Sequence, residues 1–198
     1  MYAGSKCWIN NGLIDSNIRR PLEKYPVRNM EICSNIIQEQ NGSIRIDAQS
    51  ALAQDENAYI RGGYWTYADS ETGLSMFVRE KGLVWNDLTC APSLNYRIQV
   101  AEGGTWHIWG LLKIDEEPAP IAFGLDGKPQ PLSEQYNRGD LWCYEAKQIW
   151  RWTPVCDMEI PAGEHTFSVY AVRSGMRVDR IYLTRGEELP PDALEWRQ

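Results

Sequence analysis

The chain has two histidines, His107 and His165, so imidazole-based acid–base or nucleophilic chemistry has to run through one of them. Both stand in stretches that alternate like strands, His107 within Thr105 to Ile114 and His165 at the head of His165 to Val172. A Ser-His-Asp triad can be recruited from any chain order, so position excludes neither, but no local pattern favours either. Glu116, Asp140 and Glu145 place carboxylates in loop-like sequence. Two of them facing each other at roughly 5 to 10 Å could act as acid and base on a glycosidic bond, yet loop acids are ordinarily solvated, and these three are read that way. Cys7, Cys33, Cys90, Cys143 and Cys156 contain no Cys-x-x-Cys pair and have no His at ligand spacing, which removes a zinc site. An odd number does not close into a full disulfide framework. Cys143 and Cys156 flank a hairpin-like stretch and either pair or stay as buried thiols.

Nine tryptophans and ten tyrosines against three phenylalanines are more than a core needs for apolar volume, and aromatics with a polar handle suit wet surfaces. Tyr64, Trp65 and Tyr67 cluster beside Gly62-Gly63, where they either wall a cleft or pack inward. The net charge of −7 and pI near 4.9, with no Lys/Arg-rich run, argue against a nucleic-acid partner, which needs a clustered positive surface. Apolar stretches such as Trp106 to Leu112 are too short to cross a bilayer, so no membrane partner is expected. The first residues have neither a basic leader nor an apolar core, so no signal peptide is expected. Either a cytoplasmic protein or an excised internal module fits.

The elements that must position these groups are strands. One all-β domain suits 198 residues better than two small ones. Residues 1–40 are read as an N-terminal extension or linker packed on the domain, or as a first strand outside the repeating pattern, with a weak helical spacing at Met30, Cys33, Ile36 and Ile37. Residues 41–191 form a β-sandwich, and 192–198 a tail. Ile44, Ile46 and Ala48 alternate with polar neighbours, as do Leu94, Tyr96, Ile98 and Val100, the mark of half-buried strands. Thr105 to Ile114 puts Trp106, Ile108, Gly110 and Leu112 on one face and His107, Trp109, Leu111 and Lys113 on the other, which suits a central strand. Asp126-Gly127 ends Ile121 to Leu125 as a hairpin turn. Further runs are Gln148 to Ile160, His165 to Val172 and Arg177 to Thr184.

Several of these segments stand in a familiar order. Ala162-Gly163-Glu164-His165-Thr166-Phe167-Ser168-Val169-Tyr170, followed by Arg177-Val178-Asp179-Arg180-Ile181-Tyr182-Leu183, resembles the C-terminal strands of galactose-binding-like jelly rolls. The carbohydrate-binding modules of families six and thirty-five are the nearest in pattern. Gly103-Gly104-Thr105-Trp106 resembles their Gly-Thr-Tyr strand, Gly124-Leu125-Asp126-Gly127 their Asp-Gly hairpin, and Trp150-Arg151-Trp152 their Trp-rich loop. The likeness covers roughly Ser43 to Thr184. It implies a jelly-roll sandwich that binds a polysaccharide or oligosaccharide without catalysis, covalently linked to a catalytic domain acting on plant cell walls, secreted or at a bacterial cell surface.

The resemblance also implies site residues. A structural calcium would sit between the first core strand and the last, held by Asp47, Gln49 and Asp179. Asp47 and Gln49, two apart on a strand, share a face, but Gln49 replaces an acid common in such modules. A sugar site would lie in end loops, with Trp85 and Asn86 before a core strand, Trp150 in the Trp-rich loop, Arg177 at the start of the last strand, and Tyr64 and Trp65 beside them. Arg177 stands where many relatives carry Asn, and its donor fork hints at a uronic acid, while the acidic net charge points the other way. A small sandwich glycoside hydrolase or lyase, and an interdomain or adhesion module that binds protein, remain as alternatives.

Overall fold

The computed structural model describes residues 35–51, 65–70, 73–78, 82–114, 121–131 and 149–192. Eleven strands build two sheets, confirming the all-β sandwich of jelly-roll type. One sheet runs in the order β1 (Ile37–Gln38), β5 (Ser93–Val100), β10 (Gly163–Ala171), β7 (Ile121–Leu125), β8 (Lys128–Pro129). The other runs β3 (Trp65–Ser70), β4 (Gly73–Val78), β11 (Met176–Thr184), β6 (Gly104–Ile114), β9 (Arg151–Ile160), and β2 (Ser43–Asp47) also pairs with β11.

Alternation decides which face of each strand enters the core. Leu94, Tyr96, Ile98 and Val100 of β5 are buried while Asn95, Arg97 and Gln99 are half-exposed. On β6, Trp106, Ile108 and Leu112 point inward against Ile181 and Leu183 of β11. Strand β6 lies between β11 and β9, the central place its two-sided apolar pattern predicts.

The two ends of the sandwich differ. At one end the connections are tight: β5 passes to β6 through residues 101–103, and β9 to β10 through 161–162. Asp126 and Gly127, at φ 50° and 73°, make the expected hairpin turn, and Asn41 and Gly42, at 51° and 76°, make a second one that sequence reading passed over. Gly124 has no room for a side chain, since a Cβ there would lie 2.5 Å from the Lys128 carbonyl oxygen. Arg185 ties this end together: it donates to Glu102 Oε2 at 2.7 Å and to Glu39 Oε1 at 3.0 Å, and Glu39 Oε2 accepts the Ala101 amide at 2.6 Å. Glu102 and Glu39 hold the Arg185 guanidinium still more firmly protonated than usual. At the other end lie the connections from β4 to β5, β6 to β7, β8 to β9 and β10 to β11, which pass from one sheet to the other as the two tight ones do.

Two placements differ in part from expectation. Ile37, on a weak helical spacing, lies in β1, which pairs parallel with β5, the first-strand alternative for this segment; Met30 and Cys33 lie outside the described residues. Arg151 and Trp152, which the resemblance puts in a Trp-rich loop, belong to β9, within the run from Gln148 to Ile160. Cys156 is free and buried on the inner face of β9, so the alternative of a bridge to Cys143 falls. Burial, with Asp157 adding to it, pushes its thiol pKa upward, which makes it an inert core group. Cys90 is disulfide-bonded.

The Asp126 turn is fixed onto β10. Its Oδ1 accepts the Thr166 amide at 2.9 Å and its Oδ2 meets His165 Nδ1 at 2.8 Å, while His165 Nε2 faces the Pro161 carbonyl at 3.0 Å. Burial opposes the charge, but the Thr166 amide, His165 and Lys128 together hold this carboxyl below the ordinary aspartate value of 3.8. A depressed folded pKa means stability present above the unfolded value and lost as pH falls through the folded one. Asp126→Asn is therefore predicted to lower the melting temperature at pH 6. The gap between the two proteins should narrow as the pH drops below 3.8; a gap constant with pH would show that the charge contributes nothing.

Candidate functional site

The end opposite the tight turns is held by backbone bonds between two of its connections. Trp85 N donates to Val172 O at 2.8 Å and Ser174 N to Leu83 O at 3.0 Å, and Val84 bridges Arg173. The Ser174 hydroxyl also accepts the Leu83 amide at 3.2 Å. With the segment pinned in extended form, successive side chains must alternate. Val84 and Asn86 face out, and Trp85 faces in at 2% exposure. This corrects the expectation that Trp85 walls an open cleft: its indole belongs to the core. Trp65 is likewise core, 1% exposed, with its Nε1 donating to Pro92 O at 3.1 Å. An indole with its single donor satisfied gains the full benefit of burial. Tyr64 lies outside the described residues.

Trp150 and Arg177 are both half-buried at this end. Arg151 pairs with Leu112, so Trp150, one residue outside the ladder, stands at the level of Lys113. Lys113 pairs with Arg177, and Arg177 with Phe77. Trp150, Lys113, Arg177 and Phe77 thus form one transverse row across β9, β6, β11 and β4. Two strand spacings separate the ends of the Trp150-to-Arg177 stretch, on the order of 10 Å, about the length of a disaccharide-sized contact. The Arg177 guanidinium carbon lies 4.9 Å from the Phe77 ring centroid, a cation–π contact that orients the fork. Sequence reading missed Lys113 and Phe77, because a register is needed to bring them beside Arg177.

The metal residues are arranged differently from the expectation. Asp47 stands directly opposite Arg180 in the β2–β11 register, and the two form an ion pair in which the Arg180 side chain is 5% exposed and Asp47 39%. Asp179 is buried at the bulge between the Val178 and Arg180 pairings. Gln49 is half-buried in the short 3-10 turn Ala48–Ser50. Calcium takes six to eight oxygens, and a guanidinium already bonded to the best carboxylate does not fit that donor set. Among the described residues no group of three or more His, Cys, Asp or Glu is placed to hold a metal ion.

Both histidines lie away from this row. His107 Nδ1 meets Asp157 Oδ1 at 2.7 Å and its Nε2 lies 3.5 Å from Glu187, near the tight-turn end where Thr184 pairs with His107. His165 is the hairpin clamp described above. Glu116, Asp140 and Glu145 lie outside the described residues.

No family model and no curated protein matches the chain. Among solved structures, it is similar to the C-terminal family-six carbohydrate-binding module of a marine laminarinase from Zobellia galactanivorans, with 15% identity, a TM-score of 0.49, and coverage of 72% of this chain and 99% of that one. A β-(1,4)-mannanase of Podospora anserina carrying a family-thirty-five module is similar at 12% identity and TM-score 0.48, over 77% of this chain and 29% of that one. A carbohydrate-binding module of Cellvibrio mixtus lichenase 5A, solved with cellotriose, is similar at 12% identity and TM-score 0.44, over 72% and 97%.

Three stability predictions rest on these placements. Trp85→Ala empties a core site and is expected to cost about 3–5 kcal/mol, whereas Trp150→Ala should stay within about 1 kcal/mol; urea unfolding of the two variants checks this, and equal losses would contradict it. For the Asp47–Arg180 pair, the buried partner is the one that cannot turn to water. Asp47→Ala should therefore destabilise more than Arg180→Met, and by roughly 2–4 kcal/mol. Melting is expected to be the same in calcium and in chelator, and a fall of several degrees on chelation would return calcium to these residues.

Proposed function

We propose that this domain is a non-catalytic glycan-binding module whose site is the row at the end opposite the tight turns. The observation that carries this reading is the half-exposed Trp150 standing level with Arg177 across two strands. An indole packs on the apolar C–H face of a pyranose, removing area from water at roughly 25 cal/mol per Å², while the guanidinium donors select oxygens. Asn86, exposed beside this end, offers a further amide. One indole face and a few polar groups give modest affinity, in keeping with a module that works by attachment to something larger.

The same reading supports a non-catalytic role. His165 spends both ring nitrogens on the hairpin clamp, and His107 lies between Asp157 and Glu187 at the far end of the sheet, so neither reaches the row. In the longer protein, the module would direct a covalently linked catalytic domain to plant cell-wall polysaccharide. Affinity electrophoresis through gels containing soluble plant polysaccharides tests this. Retardation is expected for at least one, lost in Trp150→Ala and Arg177→Ala while their melting temperatures hold, with no reducing sugar released. Release of reducing ends abolished by a His107 or carboxylate variant would instead favour the hydrolase.

A further inference from the structure

One imidazole that the proposed function leaves unused sits under the segment by which the chain leaves its last strand. His107 stands on the outer face of β6 in a transverse row, with Thr184 of β11 on one side, Asp157 of β9 on the other, and Ser43 of β2 beyond Thr184. After Thr184 the chain turns back over this row. Arg185 is fixed first, by Glu39 and Glu102; the Gly186 amide then donates to Thr184 Oγ1 at 3.1 Å, and the same hydroxyl donates to Glu188 Oε2 at 3.2 Å. A turn closed in that way delivers Glu187 to the ring, with its Oε1 3.5 Å from His107 Nε2.

His107 thus faces a carboxylate on each ring nitrogen, since Nδ1 lies 2.7 Å from Asp157 Oδ1. A neutral imidazole has one N–H and one lone pair, so it cannot donate to both. The shorter contact claims the single proton for Nδ1, and the Nε2 lone pair is then turned toward the Glu187 carboxylate, which repels it. Only the imidazolium, a donor at both nitrogens, satisfies the two contacts together. The His107 side chain is 16% exposed and that of Glu187 88%, so the ring is the fixed member of the pair and the glutamate the one turned mostly to water.

Among the described residues, the charged groups around the ring are Asp157 and Glu159 from β9, Glu187 and Glu188 from the exit segment, and Arg45 of β2, opposite Tyr182 in the next row. Glu159 is engaged by Thr105 and Glu188 by Thr184. Carboxyl side chains as a class have given up their protons by about pH 5.5, and histidine is the side chain that changes charge between about pH 5 and 8. Within that window the imidazole does the switching. The second histidine, His165, serves the hairpin clamp on the other sheet.

We infer that His107 is a proton-controlled latch on the chain's exit from the sandwich. Protonated, it ties Glu187 to Asp157 and holds the segment against the sheet; deprotonated, it keeps Asp157 and lets Glu187 go. An exposed ion pair biases such an equilibrium by only about two- to fivefold, so the latch shifts a population. It lies at the end opposite the Trp150–Arg177 row and works whether or not that row binds a glycan.

Nuclear magnetic relaxation of the backbone amides, with the imidazole nitrogen shifts, tests this on the full chain at pH 5.5 and 8. Order parameters of Glu187, Glu188 and Leu189 are expected to be lower at pH 8 by roughly 0.1–0.2, a move from the rigid toward the flexible range. The His107 ring is expected to carry protons on both nitrogens at pH 5.5 and on Nδ1 alone at pH 8. Glu187→Gln, made on a side chain exposed enough to leave the fold intact, should remove the pH dependence of the backbone, and His107→Gln should do the same. Equal order parameters at the two pH values overturn the latch, as does a pH dependence that survives in Glu187→Gln. A neutral ring protonated on Nε2 overturns the tautomer on which the latch depends.

Discussion

Strand β11 must satisfy its backbone groups along both edges for nine residues while its inner face fills the core, and buried N–H and C=O groups left unpaired would be too costly to keep. On one edge β6 supplies partners along the whole length. The other edge is shared: β4 covers Arg177 and Val178, and β2 covers Arg180 to Thr184. Asp179 is the residue at the handover, and the register to β6 slips there. Bulges of this kind re-aim side chains. Here the slip carries Arg180 onto the outer face opposite Asp47 and leaves Arg177 on the same face one bulge earlier, beside Lys113. The ion pair that joins the first long strand to the last and the cationic pair at the candidate site are therefore two products of one irregularity.

That placement clarifies why much of the fold was legible and part of the site was not. Strand β5 could be delimited to within one residue because its period-two burial is written in residue type. The Asp126-Gly127 hairpin was equally readable, since only a few residues tolerate its backbone angles; Asn41-Gly42 carried the same signal and was overlooked. Strands β3 and β4 were not seen as strands. Trp65-Thr66-Tyr67 reads as an aromatic cluster, and Gly73-Leu74-Ser75-Met76 alternates weakly because Ser75 is buried.

For the site, residue type misled wherever a large aromatic stood in a connection. Trp85 was expected to be open because it sits in a loop, but a loop pinned by Trp85 N to Val172 O alternates as a strand does, and its inward position fell on the indole. Asp47 had the right chemistry for a cation and found one in the chain itself. A buried arginine opposite a carboxylate is invisible to a pattern that compares residues along one strand. The relation between Arg177 and Trp150 runs through Lys113, 37 residues from one and 64 from the other by the chain numbering.

The two ends of the sandwich answer to different demands. Residues at the tight-turn end satisfy one another: Arg185 with Glu39 and Glu102, His165 with Asp126, His107 with Asp157. Charges there are consumed by short loops that leave them little freedom. At the opposite end, Lys113 and Arg177 stand on strands paired along both edges, β6 between β11 and β9, and β11 between β6 and β4. On the proposed function, stability and recognition sit at opposite ends of the same strands, and the register of β6 against β11 is what links the two.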